Sequence, residues 1–521
     1  MTWVNGKDAV VPLDGGSRLP REVLGNKGFG LNLMRTGGLP VPPAFCLVTD
    51  VCSAFLAGDE GILDRVWPDV LAGVRGLERE TSRSFGRGPR PLLLGVRSGA
   101  ALSMPGMLDT VLDLGFDDAV HLALASQNSE EFAADTRSRF GAMYQAIVLG
   151  GNPSAEVPDD PFGQLRGAIE AVFASWGSPR AAAYRAHRGL DDAGGTAVVV
   201  QAMVFGNLGP DSGSGVLFSR NPATGVDEPL GEWLPGAQGE DVVSGEFDCL
   251  PLEALRTAQP GVFAELMGAS DELERLGGDV QDIEFTVERG TLWLLQTRVA
   301  KRSAQAAVRL ALAFRTAGLI DDAEVLRRVT PEHVRTLLSP SLQPQTRLAA
   351  AVLATGLPAS PGVTSGTAYT DLGAALDAAD AGQDVILVRT ATSPDDVAGM
   401  LAARGIVTEI GGATSHAAVV SREIGTPAVV GCGAGVAGAL DGRMITVDGG
   451  EGKVFDGALE LTAWSERDSP DLVEVAAIAV RQAVARGLTD VVCDTPLIAM
   501  LTALRLADDG GPTRSERLSD G

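Results

Sequence analysis

The residue best suited to carry a phosphoryl group is a histidine, His416, in the segment GGATSHAAVVSREIGTPAVVG at 411–431. The two glycines that open this segment allow a tight turn with close backbone approach. Thr414 and Ser415 are residue types that cap a helix, so we predict a helix over 417–424 with His416 in its first turn. Helix N-terminal N–H groups and the helix dipole favour an anion there. This placement predicts a nucleophilic histidine, although a single histidine is more often a core or surface residue.

A second group of candidates lies in QDIEFTVERGTLWLLQTR at 281–298, which predicts a β-hairpin with an Arg-Gly turn. Asp282 and Glu284 are two residues apart on the first strand, so both side chains leave the same face. Paired carboxylates suit Mg²⁺, which prefers oxygen ligands. Gln296 and Arg298 share a face of the returning strand, where Arg298 can grip a phosphate bidentately. The alternative is that these residues form only the solvated face of a hairpin.

Two further cations have phosphate-binding contexts. Lys27 lies between Gly25 and Gly28 on a predicted loop that leads into a helix, a composition expected where a backbone approaches phosphate. Arg97 follows the apolar run LLLGV and is predicted to emerge at the end of a buried strand. The alternatives are a glycine turn without a ligand for Lys27 and a strand-end salt bridge for Arg97.

The elements that position these residues must belong to several domains. The chain has 521 residues, of which 45% are hydrophobic and 21% charged, and this length and composition predict more than one globular domain. The formal net charge is -25, with 42 Lys plus Arg against 67 Asp plus Glu, which argues against nucleic acid as a partner. Five scattered cysteines are typical of reduced thiols. No signal peptide and no apolar run of about 18 residues is found, so we expect no membrane association and a cytoplasmic location.

Motifs in the second half of the chain are similar to a known family. The pattern GGxTSHAAVVxR followed by GTPAVVG resembles the phosphohistidine signature of the dikinases that make phosphoenolpyruvate, and GLPASPGVTSG at 356–366 resembles the opening of their swivelling domain. The departures are Asn26, where the family usually has glycine, and Ala413 and Ser421 within the histidine motif. The turn, the cap residues and His416 itself are retained.

Several segments of the first half resemble the ATP-grasp portion of pyruvate, phosphate dikinase. The resemblance to this enzyme is greater than that to its water-using relative, phosphoenolpyruvate synthase. The segments are GNKGFGLNLMRTGGLPVPPAF, GVRSGAALSMPGMLDTVLDLG, QAMVFGNLGPDSGSGVLFSRNPATG, GEWLPGAQGEDVVSG and the hairpin segment at 281–298. The resemblance implies that ATP is a substrate and that Lys27 and Arg97 contact its phosphates. It also implies that Asp282 and Glu284 hold Mg²⁺ and that Gln296 lies close to the phosphates.

The predicted fold class is a multidomain α/β protein, in which an ATP-grasp nucleotide-binding domain precedes a swivelling phosphohistidine α/β domain. The predicted boundaries are an ATP-grasp domain at 1–336 with a helical insert at about 116–190, a linker at 337–355, a phosphohistidine domain at 356–465 and a short helical tail with a frayed end at 466–521. Family members carry their carbon substrate on a C-terminal barrel, which needs about 250 residues. The expectation is therefore that this barrel is missing.

The resemblance implies a half-reaction in which ATP, inorganic phosphate and His416 give AMP, pyrophosphate and phospho-His416. Three interpretations of the remaining step stay open. In the favoured one, the phosphoryl group passes to pyruvate or another acceptor on a separate protein, or to a small molecule. In the second, the chain is a self-contained dikinase of an unrelated small molecule bound near 466–521. In the third, it is a non-catalytic nucleotide-binding regulator. A homodimer is also left open.

Overall fold

The computed structural model describes residues 9–101, 104, 107–188, 194–244, 247, 249–462, 465–488 and 495–508. Its contacts divide the chain into two compact units. The first unit comprises Met1–Leu217, Gly231–Val243 and Cys249–Val299, and the second comprises Phe218–Leu230, Ser244–Asp248 and Ala300–Gly521. Each unit is described by itself.

The strands of the first 299 residues form two five-stranded sheets and one short pair; they are β1 (Val10–Pro12), β2 (Ala44–Leu47), β3 (Ser84–Phe85), β4 (Pro91–Leu92), β5 (Leu94–Gly99), β6 (Thr110–Leu114), β7 (Ala197–Ala202), β8 (Gly213–Phe218), β9 (Leu230–Pro235), β10 (Leu250–Pro251), β11 (Gln281–Glu288) and β12 (Thr291–Val299). The first sheet has the order β1-β2-β7-β5-β6 with antiparallel neighbours throughout. The second has the order β10-β9-β8-β11-β12. Their buried faces share one hydrophobic core.

The helices of this part cover the two sheets; they are α1 (Arg21–Thr36), α2 (Thr49–Leu56), α3 (Ile62–Thr81), α4 (Asp118–Gln127), α5 (Glu130–Ile147), α6 (Pro161–Ala174), α7 (Pro179–Arg188), α8 (Gly239–Ser244), α9 (Leu252–Ala258) and α10 (Pro260–Gly277). Helices α4 to α7 lie between β6 and β7, within the stretch where the sequence predicts a helical insert. Side-chain caps from Asp117, Ser129 and Asp160 begin α4, α5 and α6.

The hairpin predicted from alternating residues is confirmed. Strands β11 and β12 pair antiparallel, and the turn contains Arg289 and Gly290 at positive φ. Apolar residues such as Ile283 and Phe285 are buried on one face. The register sets Asp282 opposite Arg298 and Glu284 opposite Gln296, with an irregularity directly after Glu284. All four predicted site residues of this segment are therefore paired across one ladder.

The second unit contains an eight-stranded sheet, flanked by helices, whose order is β13-β20-β19-β15-β16-β17-β18-β14. Its strands are β13 (Val352–Thr355), β14 (Leu357–Ser360), β15 (Val363–Tyr369), β16 (Val385–Arg389), β17 (Gly405–Thr408), β18 (Ala428–Val430), β19 (Met444–Asp448) and β20 (Lys453–Asp456). Strands β15, β16, β17 and β18 pair in parallel, and the outer pairs are antiparallel.

The helices after Val299 are α11 (Ala304–Thr316), α12 (Asp322–Arg328), α13 (Pro331–Leu337), α14 (Pro344–Ala349), α15 (Leu372–Asp380), α16 (Val397–Ala402), α17 (His416–Ile424), α18 (Val436–Leu440), α19 (Pro470–Ala485) and α20 (Leu497–Asp508). Helix α17 connects the parallel strands β17 and β18. Such a crossover requires a helix between the strands, and it sets the N-terminus of α17 after the carboxyl end of β17.

Helices from both ends of the second unit share a hydrophobic core. Side chains of α11, α12 and α13, such as Val308, Val325 and Val334, pack with Leu472 of α19 and Leu501 of α20. The contacts thus divide the chain after Val299, whereas the sequence predicted a boundary at 336. Periodicity shows that each helix has an apolar face but does not show which helix covers it. No helix among the described residues is long and apolar enough to cross a membrane.

Candidate active site

The first candidate site begins with the four polar residues of the β11–β12 hairpin. Arg298 Nε donates to Asp282 Oδ2 at 2.7 Å, and Gln296 Nε2 donates to Glu284 Oε1 at 2.9 Å. Both carboxylates leave the same face because they are two residues apart on β11. Asp282, with a side chain 4% exposed, is not part of a solvated hairpin face.

Arg97, on β5 in the first sheet, joins this group. Its Nη2 donates to Glu284 Oε2 at 2.9 Å and its Nη1 to the carbonyl of Leu295 at 3.4 Å. The sequence predicted Arg97 at the end of a strand, whereas β5 continues through Ser98 to Gly99; the salt bridge given as the alternative is present. Glu284 therefore accepts a hydrogen bond from Gln296 of its own sheet and another from Arg97 of the first sheet. The second bond holds Arg97 beside the hairpin.

Lys27 reaches the same group through a backbone break in α1. Gly25 has φ 67° and ψ 164°, and a Cβ added there would lie 1.6 Å from the carbonyl oxygen of Gly99. Asn26 N donates to Ala100 O at 2.8 Å, which ties this break to the end of β5. Only glycine allows so close an approach. Lys27 thus lies inside α1, two residues after the break at Gly25. The sequence predicted instead that Lys27 lies on a loop that precedes a helix.

The charge of Lys27 is unfavourable in this surrounding. Burial, together with the charges of the neighbouring cations Arg97 and Arg298, lowers the pKa of Lys27 to about 7 against the opposing charge of Glu284. An anionic ligand would reverse this balance, since opposite charge favours the protonated amine. Lys27, Arg97 and Arg298 therefore form a buried cationic group with the chemistry of a phosphate site.

The donor set of this site fits Mg²⁺. Asp282 and Glu284 offer carboxylate oxygens, and Gln296 Oε1 is buried with no hydrogen-bond partner in the described part of the chain. Mg²⁺ takes oxygen ligands and usually combines one or two carboxylates with phosphate oxygens and water. Among the described residues no group of three or more His, Cys, Asp or Glu has metal-binding geometry. Two carboxylates and one amide oxygen thus match the oxygen ligands that Mg²⁺ prefers.

Sequence analysis missed the carboxyl group of Glu240, which lies near Arg97, and that of Asp113, which lies near Glu240. Burial raises the pKa of Glu240, on α8, to about 7; the charges of Arg97 and Arg139 oppose this, and Asp241 adds to it. Asp113 lies at φ 58° with its side chain buried, and burial together with Glu240 holds the pKa of its carboxyl well above the usual range. Glu240 stands in GEWLPGAQGEDVVSG, but only the fold brings it near Arg97.

The sequence of the glycine-dense segment at 206–215 is compatible with two roles, a mobile cover over the nucleotide phosphates or a hairpin connection. The hairpin alternative is wrong, because β7 belongs to the first sheet and β8 to the second. The segment connects the two sheets. Its role as a cover stays a prediction.

The second candidate site is the first turn of α17. The helix begins at His416 itself, and Ser415 is its N-cap, with Ser415 Oγ accepting from Ala418 N at 3.4 Å. Ser415 Oγ also donates to the carbonyl of Gly412 at 2.8 Å, which closes the turn. The predicted helix start is confirmed, with Ser415 rather than Thr414 as the cap.

The imidazole of His416 has one nitrogen engaged and one available. Nδ1 lies 3.2 Å from Thr392 Oγ1, and Nε2 is buried without a partner among the described residues. Burial lowers the pKa of His416 to about 4, against the opposing charge of Asp396. The ring is therefore neutral at pH 7 and holds a nucleophilic lone pair. Thr392 could not be found from sequence, because it lies 24 residues earlier, after β16.

The six nucleotide-site residues predicted from sequence come together in the first unit, namely Lys27, Arg97, Asp282, Glu284, Gln296 and Arg298. His416 belongs to the second unit. A nucleophile carried on a unit separate from a phosphate site is the arrangement expected of a phosphoryl carrier.

Two family models match the chain along these lines. The model of the pyruvate phosphate dikinase AMP/ATP-binding domain matches residues 59–249, and the model of the PEP-utilising enzyme mobile domain matches residues 381–452, which include His416. Pyruvate, phosphate dikinase of Rhizobium meliloti (strain 1021) is 41% identical over 86% of this chain. The chain belongs to the pyruvate, phosphate dikinase family.

Other members of the pyruvate, phosphate dikinase family match nearly the whole chain. The chloroplastic pyruvate, phosphate dikinase 1 of Arabidopsis thaliana is 37% identical over 97% of the chain, and the enzyme of Clostridium symbiosum is 36% identical over 98%. The chain spans 57% of the length of the Rhizobium relative, 58% of the Arabidopsis relative and 64% of the Clostridium relative. The predicted family and fold class are confirmed.

Proposed function

We propose that this chain transfers the β-phosphoryl group of ATP to Nε2 of His416 and the γ-phosphoryl group to inorganic phosphate. The observation that carries this proposal is the neutral His416 imidazole at the first turn of a helix, with Nδ1 beside Thr392 and with no described residue bonded to Nε2. The products are AMP, pyrophosphate and phospho-His416. The balance is complete, because the two phosphoryl groups lost by ATP are found on the histidine and on phosphate.

In this proposal the buried cations of the first unit bind the nucleotide. Lys27, Arg97 and Arg298 contact phosphate oxygens, and Lys27 takes up a proton as the negative charge arrives. Phosphoryl transfer depends almost entirely on positioning and on neutralising the charge of the oxygens. Three preorganised cations in a buried site provide both.

Asp282 and Glu284 would hold Mg²⁺ here, with Gln296 Oε1 as a further oxygen near the phosphates. A bound Mg²⁺ withdraws charge from the phosphate oxygens and orients them. Arg298 and Arg97, which pair with the two carboxylates, keep these side chains in place in the protein alone.

At His416, the Nε2 lone pair forms the new N–P bond as the bond from the β-phosphorus to the AMP oxygen breaks. The proposed tautomer is the one in which Nδ1–H donates to Thr392 Oγ1, 3.2 Å away, so that the proton stays on Nδ1 and the lone pair stays on Nε2. The N–H groups of the first turn of α17 and the helix dipole then stabilise the phosphoryl oxygens. Thr392 is thus a positioning residue, and it is not among the site residues predicted from the sequence.

Thr392→Val is expected to lower the rate of His416 phosphorylation by about twofold to thirteenfold, since one hydrogen bond contributes ~0.5–1.5 kcal/mol. Thr392→Ser, which keeps the hydroxyl group, is the matched control and should retain the rate. Both variants are compared by single-turnover formation of phosphohistidine at saturating ATP. Equal rates for Thr392→Val and the parent chain would show that Thr392 does not position the ring.

For the second half-reaction we propose that phospho-His416 passes its group to pyruvate or another acceptor bound by a separate partner protein or presented as a small molecule. This proposal is supported by the names of the relatives, which are pyruvate, phosphate dikinases. The homodimer and the cytoplasmic location stay predictions.

The proposed use of phosphate is tested with ¹⁸O-labelled or ³²P-labelled inorganic phosphate, ATP and Mg²⁺. Phosphate should accelerate AMP formation, and its label should appear in pyrophosphate. This result is expected because the nucleotide-binding segments resemble the phosphate-using enzyme. If AMP forms while pyrophosphate stays unlabelled, the γ-phosphoryl group passes to water and the phosphate-dependent reaction is wrong.

A further inference from the structure

The helical part of the second unit contains a cavity of about 210 Å³ that no step of the proposed function uses. The cavity lies between helices α12 and α20, and Arg486, which directly follows α19, also lines it. Its lining combines three arginines with three leucines, namely Arg327, Arg486, Arg505, Leu326, Leu501 and Leu504. Asp and Glu are absent from the described lining. The cavity thus combines cationic and apolar side chains in a chain whose formal net charge is -25.

The hydrogen bonds of these arginines hold them at the cavity. Arg505 Nη2 donates to the carbonyl of Arg327 at 2.8 Å, and Arg486 Nη1 donates to the carbonyl of Leu504 at 3.5 Å. Arg505 Nε is buried without a hydrogen-bond partner among the described residues. Arg327 forms an ion pair with Glu324 one turn earlier, and its side chain is 78% exposed. Arg505 is therefore a fixed cation whose hydrogen-bonding capacity is incompletely used.

The charge of Arg505 also acts on its surroundings. Burial lowers the pKa of His333, on α13, to about 4, and the positive charges of Arg302 and Arg505 contribute to the lowering. Like charges in a partly buried region repel one another, and an anion placed among them removes this repulsion. The helical core around the cavity would thus gain stability from a bound anion.

We propose that this cavity, called the arginine cavity, binds a small organic anion that has a carboxylate or phosphate group and a short apolar part. Guanidinium groups match the geometry of carboxylate and phosphate oxygens, and they bind them through charge-assisted hydrogen bonds. Leu326, Leu501 and Leu504 supply an apolar wall for a few carbon atoms. The volume lies below the usual range of roughly 300–1,000 Å³ for ligand pockets, which limits the ligand to a small molecule.

Such a ligand would connect α12 to α20 and so stabilise the core shared by α11, α12, α13, α19 and α20. A ligand that binds only the folded state raises the apparent stability as its concentration exceeds its dissociation constant. The arginine cavity is thus a binding site distinct in its residues from both the nucleotide site and His416.

The test measures binding of butyl phosphate and of butanoate to the whole chain by calorimetry, with butanol as the uncharged probe. At least one of the two anions should bind, butanol should not, and whichever anion binds more tightly identifies the headgroup. Arg505→Gln and Arg327→Gln should each weaken binding about tenfold or more, since each removes a charged partner. Arg335→Gln, an exposed arginine of α13 outside the cavity, is the matched control and should bind as the parent chain does.

Butyl phosphate can also bind among the cations of the nucleotide site, and the variants separate the two places. Binding that is unchanged in both Arg505→Gln and Arg327→Gln lies elsewhere and overturns the proposal, as does equal binding of butanol. Arg505→Gln removes the hydrogen bond to the Arg327 carbonyl and can therefore unfold the protein. In that case Arg327→Gln decides the test, because the Arg327 side chain is largely exposed and its substitution leaves the fold intact. Neither outcome depends on phosphorylation of His416.

Discussion

His416→Asn is expected to abolish AMP formation from ATP and phosphate. The substitution removes Nε2, which is the atom proposed to accept the β-phosphoryl group, while an asparagine amide can still approach Thr392. Without a nucleophile the β-phosphoryl group has no acceptor other than water, and release of AMP falls to the uncatalysed background. The measurement is AMP produced over several hours with ATP, Mg²⁺ and phosphate present.

The variant should still bind ATP, because the residues proposed for the nucleotide lie in the first unit. His121→Asn is the matched control, since His121 lies on α4, bonds to Glu130 and belongs to neither candidate site. It should form AMP at the rate of the parent chain. AMP formation by His416→Asn at a comparable rate would mean that another residue receives the phosphoryl group.

The second large effect concerns pyruvate. The 521-residue chain, given ATP, Mg²⁺, phosphate and pyruvate, is expected to accumulate phospho-His416 and to form phosphoenolpyruvate at a negligible rate. An acceptor must be held within attack distance of the phosphorus, and this ordering is worth roughly 7–11 kcal/mol of the barrier. Free pyruvate lacks that ordering, so transfer should be slower by about five to eight orders of magnitude.

Phosphoenolpyruvate is measured by a coupled assay, and the Clostridium symbiosum relative serves as the positive control. The phosphohistidine formed by this chain should persist when pyruvate is added. Steady formation of phosphoenolpyruvate by this chain alone would reveal a pyruvate site within it, and 466–521 is the first segment to search. That result would favour a self-contained dikinase over transfer to a separate partner.

Features set by short-range rules could be predicted from the sequence. The start of α17 follows from a Ser cap before an apolar helical run, and the β11–β12 hairpin follows from alternation around an Arg-Gly turn. The common face of Asp282 and Glu284 follows from their spacing. These features need no knowledge of distant parts of the chain, so one segment suffices to predict each of them.

Contacts between distant segments could not be predicted in this way. Thr392 reaches His416 only because β16 and β17 are parallel neighbours. The charge of Arg97 affects the pKa of Glu240, although the two residues are more than 140 positions apart in sequence. The local sequence of Glu240 and Asp241, two acidic residues at the start of α8, does not predict this contact. The packing of α11–α13 on α19 and α20 likewise depends on which apolar faces meet.

The most direct test of the central claim is to follow each phosphate of ATP. The chain is incubated with Mg²⁺, inorganic phosphate and ATP labelled either at the β-phosphate or at the γ-phosphate, and the modified peptide is mapped. The account predicts that β-label, acid-labile and base-stable, is recovered on the peptide containing His416, and that γ-label is recovered in pyrophosphate. Stable label on another residue, γ-label on His416, or ADP as the sole nucleotide product would contradict it.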